Sequence, residues 1–403
     1  MKKILIFSLT YYPNTVGGAE VAIKEITDRI DSKDIEFHMV CLRLDSALPK
    51  TEKIGNVLVH RIGFSRPNPT AEDLKKFPLH LNKYLYQFTA AFKAIRLHRE
   101  YNYDGIWAMM AHSTGVPAAL FKMVNPDVGY ALTLQEGDPI PYIEKTVKPL
   151  WPFFKRAFTS ADVIQVISSY LGNWARARGF NGPLEFIPNG ASLPAPDNYT
   201  DEELWTLKEK YKKAKGDIYL VTVSRLVEKN AVDDIIRALP LLPSNIKALV
   251  VGGGPDEQML MGLARELNVT NRVIFTGQVD RKQTAEARLV SDIFIRASRS
   301  EGMGNSFASA MASRLPIIAT QEGGLIDFIF DAKRNPDKTT TGWVVDKDNP
   351  EQIAAAVKDI LANPEQVKKV VANAYKLATE SYNWDFIARD MKEKVFYKIF
   401  KLK

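Results

Sequence analysis

The sequence predicts an α/β protein made of two doubly wound domains, each with a parallel sheet. Short apolar runs of roughly four to eight residues alternate with amphipathic stretches, which is typical of parallel strands joined by crossover helices. This alternation occurs in both halves of the chain. The length of 403 residues also exceeds the roughly 250–300 residues that one hydrophobic core organises.

The predicted strands come in two series. In the first half of the chain they are KILIFSL, FHMVCL, VLVHRI, DGIWAMM, YALTLQ, DVIQVIS and LEFIPNG. In the second half they are IYLVTVSR, KALVVGGG, RVIFTGQV, DIFIRAS, LPIIAT and TGWVVD. Ligands of such sheets bind at the carboxyl ends of the strands, so motifs at those ends are the candidates for function.

The boundary between the domains is predicted at residues 190–200, where two prolines interrupt regular structure. Thr200 and Glu203 form a capping box that begins the next helix. We therefore expect an N-terminal domain over residues 1–195 and a C-terminal domain over residues 196–381.

The composition is that of a globular protein, with 46% hydrophobic and 25% charged residues. No apolar stretch approaches the roughly 18 residues of a membrane-spanning helix, and the N-terminal apolar run is too short for a signal peptide. The single cysteine, Cys41, excludes an internal disulfide and fits a reducing compartment, so we expect a cytoplasmic protein. The net charge of +7 permits anionic ligands but is spread along the chain, and we expect no nucleic-acid partner.

The first motif at a strand end is YYPNTVGGAEV, in which Gly17 and Gly18 precede a helix. Glycines let backbone amides approach a ligand closely, and a helix start favours an anion. A flexible loop with a Gly-Gly turn has the same local sequence, so both interpretations stay open.

The second motif is VTVSRLVEKN, where Arg225 and Lys229 follow a buried strand. The two cations converge on one anion if the turn folds back, and arginine binds phosphate in a bidentate manner. A solvated helix start is the alternative. The third motif, VVGGGPDE, lacks the G-x-G-x-x-G spacing and predicts a tight connection from strand to helix rather than a cofactor loop.

The fourth motif is SEGMGNSFASAMA, residues 300–312. Its glycines expose successive amides at the start of a helix, an arrangement that binds anions. A carboxylate beside such a site, Glu301, suits an acceptor for the hydroxyl hydrogens of a sugar. The alternative is that Glu301 compensates the helix dipole, an effect of about 0.3–1 kcal/mol.

Together these motifs resemble glycosyltransferase family 4, whose members use nucleotide-sugars and have the GT-B architecture of two facing Rossmann-like domains with a cleft between them. The resemblance covers nearly the whole chain and also includes ADVIQVIS, FIPNGAS, VIFTGQV and IIATQEGG. It implies a hexosyltransferase of carbohydrate biosynthesis that moves a sugar from a nucleoside diphosphate-sugar to a hydroxyl acceptor. It further implies retention of configuration and no metal or other cofactor, and the acceptor is a glycan, a lipid-linked sugar or a small molecule.

The resemblance also implies roles for single residues. Arg225 and Lys229 hold the donor diphosphate, with the amides of Gly17 and Gly18 nearby, and Glu301 accepts hydroxyls of the donor sugar. The residues expected to line the rest of the donor are Gly302, Met303, Gly304 and Asn305 for sugar and phosphate, and Gly277 and Gln278 for the base.

The chain departs from the family's pattern in three places. Ser309 replaces the second acid of the family's motif, which commonly binds the ribose, so a loss on the order of 1–3 kcal/mol is expected unless the serine or water substitutes. Lys229 stands one place before the lysine of many relatives, which falls at Asn230. The loop LTLQEGDP lacks the histidine that many members carry there.

That loop offers Gln135, Glu136 and Asp138 instead. We expect Gln135 and Asp138 on the acceptor side, whereas Glu136 orients the acceptor hydroxyl or contacts the donor sugar. His112, in MMAHSTG, ends another predicted strand and either faces the acceptor or is a hydrogen-bonded histidine with no catalytic role.

No metal site is expected. The five histidines and one cysteine are scattered without ligand spacing. The D-x-D sequence of Asp346 and Asp348 precedes Asn-Pro and predicts a turn. Cations and helix-start amides stabilise a leaving diphosphate without a metal.

The last stretch, NWDFIARDMKEKVFYKIF, predicts a helix that buries Trp384, Ile387, Met391 and Val395 at helical spacing. By resemblance, residues 382–403 cross back onto the N-terminal domain.

Two basic stretches, HLNKYLYQFTAAFKAIRLHRE and KPLWPFFKRAF, mix cations with aromatic residues as peripheral membrane helices do. A packed helix with a basic outer face has the same pattern. Docking at the inner face of the membrane would suit a lipid-linked acceptor. Two other functions also stay open: a nucleotide-sugar epimerase of similar fold, and a degenerate member that binds nucleotide-sugar without turnover.

Overall fold

The structure, a computed structural model, describes residues 1–14, 17–70, 72–191 and 199–400. It divides into two compact units. Unit 1 comprises Met1–Asn189 with Trp384–Lys403, and unit 2 comprises Gly190–Asn383. The predicted domain boundary and its two prolines, Pro194 and Pro196, lie outside the described residues.

Unit 1 contains an eight-stranded sheet in the order β3-β4-β2-β1-β5-β6-β7-β8, parallel throughout except for the pair of β3 and β4. Its strands are β1 (Lys2–Phe7), β2 (Ile35–Leu42), β3 (Thr51–Ile54), β4 (Val57–Ile62), β5 (Gly105–Met109), β6 (Gly129–Leu134), β7 (Val163–Val166) and β8 (Leu184–Phe186). Its helices before the linker are α1 (Gly18–Thr27), α2 (Asn82–Tyr101), α3 (Val116–Val124), α4 (Ile140–Val147), α5 (Trp151–Thr159) and α6 (Ser169–Ala177).

Unit 2 contains a six-stranded parallel sheet in the order β11-β10-β9-β12-β13-β14. Its strands are β9 (Ile218–Val223), β10 (Ile246–Val251), β11 (Val273–Phe275), β12 (Ile293–Arg296), β13 (Ile317–Ala319) and β14 (Trp343–Val344). Its helices are α7 (Asp201–Lys210), α8 (Val232–Ala238), α9 (Glu257–Glu266), α10 (Arg281–Leu289), α11 (Asn305–Ala312), α12 (Pro350–Ala362) and α13 (Pro364–Ser381).

The central strands are buried on both faces, which explains why they have continuous apolar runs rather than alternating ones. In β1 every residue from Ile4 to Phe7 is fully buried. Each predicted strand occurs in one of the two sheets. The short edge strand β3 was not predicted, because its side chains are largely exposed and carry no apolar pattern.

The chain returns to unit 1 through α14 (Trp384–Asp390), a π-helical segment (Met391–Phe396) and α15 (Tyr397–Phe400). The four residues predicted to be buried, Trp384, Ile387, Met391 and Val395, are confirmed as buried and pack with β1 and β5 side chains in one core. Each such side chain stabilises by roughly 1.5–3 kcal/mol.

Glycines let these last helices approach the sheet. A Cβ placed on Gly129 at the start of β6 would lie 2.3 Å from the backbone oxygen of Ile399, and one on Gly105 would lie 2.6 Å from the Ile399 side chain. Real Cβ atoms do not come this close to a backbone oxygen, so the packing of α15 requires glycine at position 129, whereas a Cβ at position 105 would require the Ile399 side chain to shift.

Three local predictions for unit 2 are confirmed. Thr200 accepts a hydrogen bond from the Glu203 amide, and Glu203 accepts one from the Thr200 amide, which completes the capping box. The glycines of VVGGGPDE make a tight connection, since a Cβ on Gly252 would lie 2.0 Å from the Ser224 oxygen. Asp348 has a φ of 56° in the turn before α12.

Candidate active site

The loop after β9 carries the two cations that the sequence indicated. Arg225 is exposed, and its guanidinium makes no hydrogen bond or ion pair within the described part of the chain. Its backbone oxygen accepts a hydrogen bond from Asn230 Nδ2 at 2.6 Å, which folds the loop back. Lys229 lies in a 3-10 turn and is partly exposed. The fold-back that convergence on an anion requires is therefore present.

Glu301 lies in the loop after β12, the strand next to β9. Its side chain is only 10% exposed. One carboxylate oxygen accepts a hydrogen bond from Arg296, and the other accepts one from the Gly302 amide at 3.1 Å. The Gly324 amide donates to the Glu301 backbone oxygen at 3.0 Å. Because a carboxylate has about four acceptor sites, roughly two are left for ligand hydroxyls.

The helix α11 begins directly after this loop. Gly304, at its N-cap, has a φ of 78°, a conformation that favours glycine. Gly302 and Met303 are buried, whereas Gly304 and Asn305 are partly exposed. The helix start therefore offers its accessible surface at Gly304 and Asn305. Ser309 lies in the middle of α11 and is only 6% exposed.

Gly277 and Gln278 follow β11 at the same edge of the unit 2 sheet. The Gly277 oxygen accepts a hydrogen bond from the Gly252 amide at 3.1 Å, which ties this loop to the end of β10. No atom lies within 4 Å of where a Gly277 Cβ would be, and Gln278 is exposed. The surface here is open, as a flat base would need.

Two arginines of this site were missed by the sequence analysis. Arg296 ends β12 and is buried; its guanidinium contacts Glu301, Ser306 Oγ at 2.8 Å and Asn230 Oδ1 at 3.2 Å. The signal was available in DIFIRAS, since a charged residue at the end of an otherwise apolar buried strand requires a partner of opposite charge.

Arg299, three residues later, joins the same two loops. It forms a bidentate pair with Asp233 at 2.9 and 3.0 Å, and it donates to the backbone oxygen of Glu228 at 2.6 Å. Asp233 raises the pKa of Arg299, while burial and the neighbouring Asp233 raise the pKa of Asp234 to about 6. The loop that carries Lys229 is therefore braced by a cluster in which one arginine, Arg299, is paired with aspartates.

In unit 1, the start of α1 is capped by the chain itself. The Gly17 amide donates to Glu20 Oε2 at 2.9 Å, and Glu20 Oε1 accepts from Thr10 Oγ1 at 2.7 Å. This carboxylate is buried and occupies the place where an anion would meet the Gly17 amide. The Gly18 amide, in contrast, makes no hydrogen bond to any described residue.

Unit 1 also brings His112 and Glu136 together at the ends of β5 and β6. Met110, with a φ of 72°, begins the turn into a π-helical segment that holds His112. Glu136 is buried and accepts hydrogen bonds from the amides of His112 at 3.3 Å and Gln135 at 3.0 Å. His112 Nδ1 lies 3.5 Å from Glu136 Oε1, is shielded from solvent and makes no hydrogen bond to any described residue, while the side chain is 30% exposed.

The remaining acceptor-side candidates lie next to this pair. Gln135 and Asn189 exchange two side-chain hydrogen bonds of 3.1 and 3.0 Å, which link the ends of β6 and β8. Asp138 is partly exposed in the loop before α4. The carboxyl edge of the unit 1 sheet therefore carries polar side chains from at least three strand ends.

Over the described ranges, no group of three His, Cys, Asp or Glu side chains is arranged to hold a metal ion. In the same ranges, none of the helices has the length and apolarity needed to span a lipid bilayer.

Two family models match the chain. The model described as Glycosyltransferase Family 4 matches residues 16–193, and the model described as Glycosyl transferases group 1 matches residues 204–377. The two matches follow one another and together cover most of both units.

Among characterised proteins, the chain is similar to a GDP-mannose-dependent alpha-(1-6)-phosphatidylinositol monomannoside mannosyltransferase of Mycolicibacterium smegmatis. The two are 29% identical over 243 residues, which are 57% of this chain and 61% of that enzyme. The match thus spans less than two thirds of the relative's length.

Two solved structures show the fold. Sucrose-phosphate synthase from Thermosynechococcus elongatus superposes with a TM-score of 0.80 at 19% identity and full coverage of both chains. Anabaena HepE, solved in complex with UDP-glucose, superposes with a TM-score of 0.76 at 18% identity over 98% of this chain and 100% of that one. The fold is GT-B, as predicted.

Proposed function

Because the chain belongs to glycosyltransferase family 4, we propose that it transfers a sugar from a nucleoside diphosphate-sugar to a hydroxyl acceptor. The proposal includes retention of configuration at the transferred carbon and no requirement for a metal. The observation that carries it is the free Arg225 guanidinium beside Lys229, one strand away from the carboxylate of Glu301.

In this proposal, unit 2 holds the donor. Arg225 and Lys229 bind the diphosphate and stabilise the negative charge that grows as the bond to the sugar breaks. The partly exposed Gly304 and Asn305 lie at the start of α11, where the positive end of the helix dipole adds to these charges. Glu301 accepts hydrogen bonds from hydroxyls of the sugar. HepE, a structural neighbour, was solved with UDP-glucose, which supports a nucleotide-sugar donor.

Ser309 makes the nucleoside end of the site the weaker one. A buried hydroxyl accepts one hydrogen bond from ribose less strongly than a carboxylate would, by on the order of 1 kcal/mol. This substitution is also the observation that favours the second candidate function, a protein that binds nucleotide-sugar without turnover.

Unit 1 supplies the acceptor side. His112 presents its partly exposed ring at the end of β5, and the buried Glu136 acts on the acceptor through it rather than by direct contact. A cavity of about 390 Å³ lies at the same edge of the sheet, beyond β1, β2 and β4, and is lined by polar residues including Asn14 and Asp45 and by leucines. It is large enough for a sugar ring.

The proposal also includes attachment to the cytoplasmic face of a membrane. On α2, Leu85, Phe88 and Phe92 are exposed at helical spacing, and Phe92 is 72% exposed. Exposed cations, including Lys83 and Arg96, lie on the same helix. Aromatic side chains with cations beside them suit an interface with anionic lipid.

The deciding experiment incubates the purified protein with UDP-glucose, UDP-N-acetylglucosamine and GDP-mannose, each with and without simple sugar or lipid-linked acceptors. Free nucleoside diphosphate together with a glycosylated acceptor supports the transferase. An epimerised sugar would identify an epimerase, and thermal stabilisation without any product would identify a binder. Activity that persists in EDTA supports the metal-independent reaction, and activity lost in EDTA and restored by Mg²⁺ contradicts it.

A further inference from the structure

The buried Arg296 has a larger number of partners than a simple ion pair requires. Its Nε donates to Ser298 Oγ at 3.0 Å, one Nη donates to Ser306 Oγ at 2.8 Å, and the other contacts Asn230 and Glu301. Its guanidinium also lies over the ring of the buried Phe307, 5.3 Å from the centroid. These contacts engage all three nitrogens of the guanidinium and one of its faces, so they hold the side chain in one orientation.

These contacts connect the two halves of the donor site. Glu301 is bound to Arg296, Arg296 is bound to Asn230, and Asn230 Nδ2 holds the backbone oxygen of Arg225. A continuous path therefore runs from the carboxylate expected at the sugar to the loop that carries the cation expected at the diphosphate.

We propose that Arg296 is a positioning residue for sugar transfer, which holds the Glu301 carboxylate in the orientation that meets the donor sugar. This inference rests on the proposed function. The donors of Arg296 are directed at Glu301, Asn230, two serines and the backbone oxygen of Val223, so Arg296 acts through Glu301 rather than by touching the sugar.

The physical reason is the burial of Glu301. The Glu301 side chain is only 10% exposed, and a buried carboxylate needs a charged partner, which also fixes the direction of its oxygens. Arg296 is that partner, so without the guanidinium the carboxylate would be free to turn away from the sugar hydroxyls. Asn230 would still hold the backbone oxygen of Arg225, so the diphosphate contacts should change little.

The test compares binding of a nucleoside diphosphate with binding of its sugar conjugate. The pair is UDP and UDP-glucose, or GDP and GDP-mannose, whichever the wild type binds. For Arg296→Leu we expect affinity for the sugar conjugate to fall about 10-fold or more, while affinity for the nucleoside diphosphate changes less than about 3-fold.

Three variants make the result specific. Arg296→Lys keeps the charge, so its affinity ratio should stay closer to the wild-type ratio than that of Arg296→Leu. Arg288→Leu removes another buried arginine of unit 2, on α10, whose described side-chain partner is Ser313; it should lower stability without changing the affinity ratio. If Arg296→Leu does not fold, Arg296→Gln removes the charge and keeps hydrogen-bonding capacity.

The inference is overturned if the charge-removing variant of Arg296 keeps the wild-type affinity ratio, or if Arg288→Leu changes that ratio equally. If these results are found but the wild type transfers sugar, the inference about Arg296 fails and the proposed function is kept. A wild type that binds neither the nucleoside diphosphates nor their sugar conjugates overturns both.

Discussion

The carboxyl edges of the two sheets are built in different ways. In unit 2 the loops after β9 and β12 are joined by two arginines, Arg296 and Arg299, whose charges are matched by Glu301 and a cluster of aspartates. In unit 1 the corresponding edge is held by one neutral amide pair and by two buried carboxylates, Glu136 with a histidine beside it and Glu20 at the start of α1.

The difference shows what each edge is prepared to bind. In unit 2 Arg296 and Arg299 are paired with carboxylates, whereas the Arg225 guanidinium has no partner among the described residues and is available to an incoming anion. In unit 1 the buried polar atoms without a hydrogen bond to a described residue include His112 Nδ1, which suits a neutral hydroxyl better than a phosphate. An edge with an unpaired cation fits a donor, and an edge with an unpaired imidazole nitrogen fits an acceptor.

The largest effect is expected when the unpaired cation of the unit 2 edge, Arg225, is removed. For Arg225→Ala we expect kcat/KM to fall about 100- to 1,000-fold, because a preorganised contact to the leaving group is lost. Arg237→Ala removes another exposed arginine, on α8, and should leave kinetics unchanged. Steady-state kinetics and calorimetry with the nucleoside diphosphate measure the effect, and unchanged affinity in Arg225→Ala would remove this residue from the site.

A second test concerns the stability of unit 1 alone. Gly129→Ala puts a Cβ against the Ile399 oxygen and should lower the free energy of unfolding of unit 1 by about 1–3 kcal/mol. Gly262→Ala, within α9 of unit 2, meets no atom closer than 4.0 Å and should stabilise by about 0.5–1 kcal/mol. Urea unfolding of both variants checks this, and equal stability of Gly129→Ala and wild type would mean that α15 does not pack as described.

Lowering the pH should decrease the stability of unit 1 and increase that of unit 2. Burial lowers the pKa of His60 to about 4 and also lowers the pKa of its neighbour His38. In the unfolded chain both histidines have a pKa near 6.5, so below that pH the unfolded state binds more protons than the folded state. The free energy of unfolding of unit 1 is therefore highest above about pH 6.5 and falls by about 1–3 kcal/mol as the pH approaches 4. In unit 2 the raised pKa of Asp234 means that the folded state binds the extra proton, so this unit gains stability below about pH 6.

Pulse proteolysis in urea between pH 4.5 and 7 separates these effects, since the fragments identify the unit that opens. His60→Gln should flatten the loss in unit 1 and leave unit 2 unchanged. Parallel loss of stability in both units over this range would contradict the assignment to these groups.

The smallest effect is expected for a test of the nucleoside end of the donor site. Ser309→Glu should tighten binding of the nucleoside diphosphate about 5- to 10-fold, because a charged acceptor faces the ribose hydroxyls. Ser309→Gln is nearly the same size without the charge and should change affinity less than about 2-fold. Isothermal titration calorimetry distinguishes them, and equal affinities would show that position 309 does not contact the ribose.

The strands could be predicted from the sequence because a parallel sheet is buried on both faces, so its strands are continuous runs of apolar residues. The edge strand β3 has no such run, because half of its side chains face solvent. Single residues were predicted where their surroundings are local, as for the capping box of Thr200 and Glu203.

The parts of the site that depend on long-range pairing could not be predicted in this way. Arg299 and Asp233 are 66 positions apart, and nothing in the local pattern specifies that they meet. The same holds for Asn230, whose burial against Arg296 is set by adjacent strands β9 and β12. The Glu20 cap is local, and the spacing GGAE contained its signal.

The return of residues 384–400 to unit 1 has a consequence for biosynthesis. The ribosome completes all of unit 2 before it makes the segment that covers the Gly105 and Gly129 side of the first sheet. Unit 2 can therefore fold first during translation, although it lies later in the chain. The nascent N-terminal half stays uncovered on that side until residues 384–400 emerge, so its apolar surface is exposed for longer than that of unit 2.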